Sequence, residues 1–214
     1  IFLSYELSIE DMANWQIFKA LSGYILVCMQ GGFLYQSNIF LNKYNYSISS
    51  ILLSIFKFRT GVLLICIPIF FIYSYLSNFS NTLIVSLIIY FVISIFDTNF
   101  LNNSLGEGIF SSKLIFLKNV SQLLIITCLI KFNKSVLTPI LSLIVSTILI
   151  FILLYGKIFN LNKFKKGIKL EINCLEIISK GKYFIITILS TTSLQTADLL
   201  IGNIFLNKSG ISLY

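Results

Sequence analysis

Six apolar runs, at 16–40, 61–76, 83–101, 115–130, 136–155 and 183–205, fill most of this 214-residue chain, and most of its charge lies in the gaps between them. A helix needs about 20 apolar residues to cross the hydrocarbon core of a bilayer, so each run predicts one spanning helix. Hydrophobic residues make up 57% of the chain and charged residues 11%, with a mean hydropathy of +0.91. A soluble domain carries about a quarter charged residues. A transmembrane barrel would alternate apolar and polar residues over about 10 positions, and Gly61, Val62, Leu63, Leu64, Ile65 show no alternation. The segment 47–58 mixes Ile51, Leu52, Ile55 and Phe56 with Ser49, Ser50, Ser54 and Lys57, which predicts an amphipathic helix extending the second span inward. The predicted fold class is an all-α polytopic transmembrane helix bundle.

Basic residues give the bundle a direction. Twelve of the sixteen lie in alternate gaps: three in 41–60, two in 102–118 and seven in 156–182. The gap 77–82 has none, 131–135 has two, and the tail after Phe205 has only Lys208. Short loops rich in Lys and Arg stay cytoplasmic, so the first full span runs inward, the spans alternate, and Glu6, Glu10 and Asp11 lie outside. The net charge of +8 therefore encodes topology. Nucleic-acid binding is not expected, because Arg59 is the only arginine and planar bidentate reading of phosphates and bases depends on arginine.

The chain has no His, and Cys28, Cys66, Cys128 and Cys174 lie far apart with no CxxC, which predicts neither a zinc site nor a disulfide framework. No Walker sequence, GxSxG or catalytic carboxylate pair is present, so no enzyme activity is expected. The outer loops are too short to carry the external catalytic region of a membrane polymerase. No cofactor is expected.

Three units are expected: a first-lobe bundle at 1–157, a basic cytoplasmic linker at 158–182, and a helix with its outer turn at 183–214. The opening residues, Ile1 to Tyr5, read as the last turns of a helix already under way, which predicts a piece of a longer protein. Leu7 to Trp15 and Leu206 to Tyr214 both follow an apolar run, begin with Leu and end in an aromatic. Both fall on the outer side, as a parallel repeat requires.

The last span carries Thr187, Thr191, Gln195, Asp198 and Gly202 at helical spacing on one face. Two readings of Asp198 stand: a cation, proton or ligand site in a wet cavity, or a carboxylate reaching interfacial water about two turns from the outer end. Asp97, toward the inner end of the third span, is placed to pair with Lys113 if Gly106 and Gly108 turn the chain, either as a structural ion pair or as a cytoplasmic gate. Lys19, Arg59 and Lys118 are the cations placed to meet an anionic ligand in a low-dielectric cavity. Lys19 beside Trp15 also fits a snorkelling lysine in an aromatic belt, and Arg59 an inside anchor. Gly31, Gly32 and Pro68 mark close packing or bending.

Leu7 to Trp15, leading into a span with Gly31, Gly32 and Phe33, and the segment from Ile178 through Asp198 and Gly202 to Tyr214 resemble the polysaccharide and O-antigen flippases of the multidrug, oligosaccharidyl-lipid and polysaccharide exporter superfamily. In that family a lone Asp sits late in the opening helix of the second half, and a Gly-x-Tyr element follows. Here Ser212 stands in place of the Gly, and Ala13 and Trp15 replace the pair in the first copy. The resemblance implies a two-lobe transporter, of which this chain holds most of the first lobe and the first helix of the second. It implies flipping of an undecaprenyl-diphosphate-linked oligosaccharide across the bacterial inner membrane, by alternating access, for lipopolysaccharide O-antigen or other surface polysaccharide. The implied partners are the lipid-linked glycan, the bilayer and other polysaccharide assembly proteins, and Asp198 is the carried-over cation or lumen site. A drug or metabolite exporter of the same superfamily and a membrane polysaccharide polymerase are the competing readings.

Overall fold

The structure is a computed structural model and describes residues 3, 6–30, 48–76, 79–98, 108–162 and 174–205. Among them lie six helices and no strand: α1 (Ile9–Gln30), α2 (Ile48–Leu76), α3 (Asn81–Ile95), α4 (Gly108–Leu129), α5 (Leu137–Asn162) and α6 (Cys174–Phe205). Each of the six apolar runs has its helix. Gly31 and Gly32, the turn at Gly106, the middle of the basic linker and the final turn to Tyr214 lie outside the described residues.

Helix ends depart from the apolar runs wherever a polar group sets the boundary. α1 begins at Ile9, seven residues before its run. Ser8 Oγ accepts from the Asp11 amide at 3.1 Å and donates to the Asp11 carboxylate at 2.8 Å, which satisfies orphan groups of the first turn. The stretch from Leu7 to Trp15, read as an outer turn, is thus the cap and opening turns of a helix. Trp15 is buried and stacks on Phe18 at 5.7 Å, so it belongs to the core and not to an interfacial belt.

α2 confirms the amphipathic extension. It is one helix of 29 residues, about 43 Å at 1.5 Å per residue, and continues through Pro68. Its inner part buries Ile48, Ile51, Ile55, Phe58 and Arg59 while Lys57 stays exposed.

α3 is the short one. Ser80 caps it, its side chain accepting from the Leu83 amide, but it stops at Ile95 after 15 residues. That is about 22 Å, less than the hydrocarbon thickness of about 30 Å. α5 runs on to Asn162 and α6 begins at Cys174, so helical residues occupy both ends of the segment expected to be a linker at 158–182.

Among the described residues three helices are long and apolar enough to cross a membrane: Ile48–Leu76, Gly108–Leu129 and Leu137–Gly156. The arms Ile185–Leu194 and Thr196–Gly202 of α6, set at 63° to each other, make a fourth if taken as one span. The protein is an all-α, membrane-embedded helix bundle. α3 ends early, at Ile95, and is shorter than the span its run predicts. Residues 31–40 of the first run lie outside the described residues.

The core lies between α1, α2, α3 and α5, around Ile17, Phe18, Met29, Leu87, Phe91 and Ile140. α5 also buries Ser142, Ser146 and Thr147. Their hydroxyls donate to the carbonyls of Pro139 and Leu143 on their own helix at 2.7–3.0 Å, so close packing leaves none of these donors unmet. α4 packs mainly on α5 and turns Phe116, Leu123 and Leu124 outward, as a lipid-facing helix does. α6 packs along α1 and α2.

Two sets of contacts show which helix ends lie together. Lys134 pairs with Glu6 at 2.8 Å, and the Val136 amide donates to the Asp11 carboxylate at 3.2 Å. The starts of α1 and α5 therefore share one end. At the opposite end Arg59 donates to backbone carbonyls at the ends of both α1 and α3. This is the alternating order read from the charged gaps, with the acidic stretch at the end of the bundle opposite Arg59.

Candidate functional site

The early stop of α3 creates the site. The last four carbonyls of a helix have no partner within it and carry the negative end of its dipole, and a bilayer offers no water to satisfy them. Arg59, only 2% exposed, reaches from α2 into this position. Its Nη1 donates to the carbonyls of Ser94 at 3.4 Å and Ile95 at 3.0 Å, and also to that of Asp97. Its Nε donates to the Met29 carbonyl of α1 at 3.2 Å. From α5 the Tyr155 hydroxyl donates to the Phe96 carbonyl at 3.2 Å. Four consecutive carbonyls, from Ser94 to Asp97, are thus held by side chains of two other helices. Lysine could not reproduce this, because a guanidinium offers five donors in a fixed planar fork.

A cavity of about 110 Å³ opens beside this clamp. Gln30, Arg59, Tyr90, Ser94, Asp97, Lys118 and Thr147 supply its polar lining, with Met29, Leu114 and Ile150 among the apolar residues. The Asp97 carboxylate acts through its charge on both Arg59 and Lys118. Among the described residues the fixed charges in the lining are two positive and one negative. The volume suits a few waters or one phosphate-sized group, well below the roughly 300–1,000 Å³ of sites that enclose whole small molecules.

Three residues singled out in the sequence therefore meet here: Arg59, Asp97 and Lys118. Lys113 does not line the cavity. It is exposed, and five residues from Lys118 it lies roughly 140° around α4. Asp97 also sits beyond the end of α3, so the two-helix geometry that set it level with Lys113 does not exist. Lys19 is exposed on α1.

On α6 Thr187, Thr191 and Asp198 are exposed, and the Thr191 hydroxyl donates to carbonyls of its own helix. Gln195 lies on the same helix. The packed face is one residue over. Thr192 lies 3.9 Å from where a Gly23 side chain would begin, and Leu200 accepts from the Tyr73 hydroxyl at 3.0 Å.

No protein-family model, curated protein sequence or solved structure matches this chain. The site has to be read on its own chemistry. Among the described residues no group of three or more His, Cys, Asp and Glu could hold a metal. The lining combines fixed opposite charges with hydroxyl and amide groups, an arrangement suited to binding and exchanging ions.

Sequence reasoning missed Gln30, Tyr90, Thr147 and Tyr155. Tyrosines within apolar runs read as ordinary bundle aromatics, and the local pattern carries no sign that Tyr155 would meet a helix end 59 residues away.

Proposed function

We propose that this chain is part of a transporter of the bacterial inner membrane that flips a lipid-linked oligosaccharide, carried on undecaprenyl diphosphate, from the cytoplasmic to the periplasmic leaflet by alternating access. The observation that carries the reading is the cavity beside the Arg59 clamp, where, among the described residues, Arg59 and Lys118 outnumber Asp97. An anion is favoured there over a cation, and the diphosphate is the anionic part of such a substrate. The cavity's small size suits one phosphate of the linkage group, with the rest of the substrate waiting on a wider opening. The protein then binds and moves its cargo without covalent chemistry, driven by a proton or sodium gradient. Its partners are the lipid-linked glycan, the bilayer and other polysaccharide assembly proteins.

Proteoliposomes test this reading. A prenyl-diphosphate oligosaccharide is expected to become accessible to an external glycosidase faster in protein-containing than in protein-free vesicles. Equal rates, together with transport of a cationic dye, would shift the assignment to a small-molecule exporter.

The orientation is tested separately. A cysteine placed by Lys166→Cys, in a background lacking the native cysteines, is expected to react with a membrane-impermeant maleimide only from the cytoplasmic side. Labelling from outside would invert the topology and place the charged cavity at the wrong face.

A further inference from the structure

We propose that Arg59 is a latch on the inner end of α3 which an oxyanion entering the cavity releases; this rests on reading that cavity as an anion site. The guanidinium that holds the α3 carbonyls is also part of the cavity wall, together with Lys118. Its Nη1 has two hydrogens and meets three carbonyl acceptors, those of Ser94, Ile95 and Asp97. None of the three contacts is exclusive. The carbonyl bonds carry charge on the donor alone, whereas a phosphate brings a full negative charge of its own and matches the guanidinium fork in a bidentate way. A phosphate group drawn in by Lys118 therefore competes for donors that α3 holds through neutral carbonyls.

The mechanical consequence follows from the partners of the latch. Arg59 is bonded to the end of α1 through Met29 and to the end of α3 through Ser94, Ile95 and Asp97. Turning the guanidinium toward an anion parts the inner ends of α1 and α3. The cavity widens from its present volume, and the last turn of α3 loosens. That turn is closed by the Phe96 amide on the Ile93 carbonyl and the Asp97 amide on the Ser94 carbonyl, both at 3.1 Å. The ligand's own charged group thus opens room for the bulkier part attached to it. Tyr155 contributes to the latch without lining the cavity, since its hydroxyl holds only the Phe96 carbonyl among the α3 end groups.

Hydrogen exchange of the protein in lipid nanodiscs, with and without inorganic pyrophosphate, tests the latch. Pyrophosphate is expected to speed exchange at the Phe96 and Asp97 amides about tenfold and to leave the outer turns of α3 unchanged. By reciprocity, Tyr155→Phe weakens the latch without altering the anion site, so it is expected to bind pyrophosphate about fivefold more tightly. A merely structural tyrosine would not raise affinity. A second arm replaces pyrophosphate with a prenyl diphosphate in the nanodisc. A response at lower concentration than with the free anion identifies a lipid headgroup as the ligand, and an equal response identifies a soluble phosphate; both support the latch. Pyrophosphate binding with unchanged exchange and unchanged Tyr155→Phe affinity overturns the latch and leaves the anion site standing. Absence of binding overturns both, and glycolipid flipping in proteoliposomes then decides independently whether the transport reading survives.

Discussion

Lys118→Gln is expected to lower glycolipid flipping at least tenfold while leaving folding and membrane insertion intact. Lys118 lies about 15 Å along α4 from Gly108 at 1.5 Å per residue, half-buried and part of the cavity wall. Its removal leaves Arg59 against Asp97, a lining with no net charge. A single unit charge about 4 Å from an anion is worth roughly 4 kcal/mol at an effective dielectric constant of 20. Even a fraction of that exceeds the 1.4 kcal/mol that corresponds to tenfold. Lys118→Arg keeps the charge and is expected to retain most of the activity. Lys113→Gln is the matched control, because Lys113 is exposed on another face of the same helix; its flipping rate should stay within about twofold, as expected of a surface change. Undiminished flipping by Lys118→Gln, measured in proteoliposomes, would remove the cavity from the mechanism.

Arg59→Met should produce the largest loss of stability from any single substitution in the bundle, about 3–5 kcal/mol, as when one partner of a buried charged network is deleted. Methionine keeps much of the side-chain volume and none of the donors. The carbonyls of Met29, Ser94, Ile95 and Asp97 would lose the bonds the guanidinium supplies. The Asp97 carboxylate would lose a compensating positive charge. Each unmet buried acceptor costs about 1–3 kcal/mol, partly recovered as the helix ends shift. Thermal unfolding in detergent is the measurement, with Arg59→Lys expected to recover part of the loss by keeping the charge without the planar fork. A midpoint equal to that of the unaltered protein would show that the α3 carbonyls find other partners and that Arg59 is not structural.

These two substitutions separate roles that look alike in the sequence. Arg59 and Lys118 are both cations near the inner end of an apolar run. Nothing in their local patterns distinguishes a residue committed largely to backbone carbonyls from one facing a cavity beside its helix neighbour Leu114. The difference comes from α3, whose apolar run continues to Leu101 while the described helix ends at Ile95. Hydropathy measures whether residues tolerate lipid. It does not report where a helix is terminated by groups offered from another segment, and α3 is terminated by Arg59 and Tyr155, whose positions in the chain are 35 to 59 residues removed from the carbonyls they hold.

The α6 stripe shows the same limit in the opposite sense. Thr187 and Thr191 share a face, as their spacing requires, yet both are exposed, as is Asp198 on the second arm, and the helix packs through Thr192 and Leu200. Periodicity establishes which residues lie together on a helix. It does not establish which way the helix is turned when neighbouring faces are all apolar enough to pack.

What the sequence by itself determined was the helical class and, among the described residues, the order and alternation of the helices. These depend on short-range physics: apolar length against bilayer thickness, and the placement of lysines beside spans. Tertiary structure alone decided that α3 stops early, that Arg59 and Tyr155 close its end, and that Asp97 and Lys118 share one cavity with Arg59. Those outcomes depend on unmet backbone carbonyls finding donors across the bundle, a long-range pairing that leaves no mark on the local pattern of either partner.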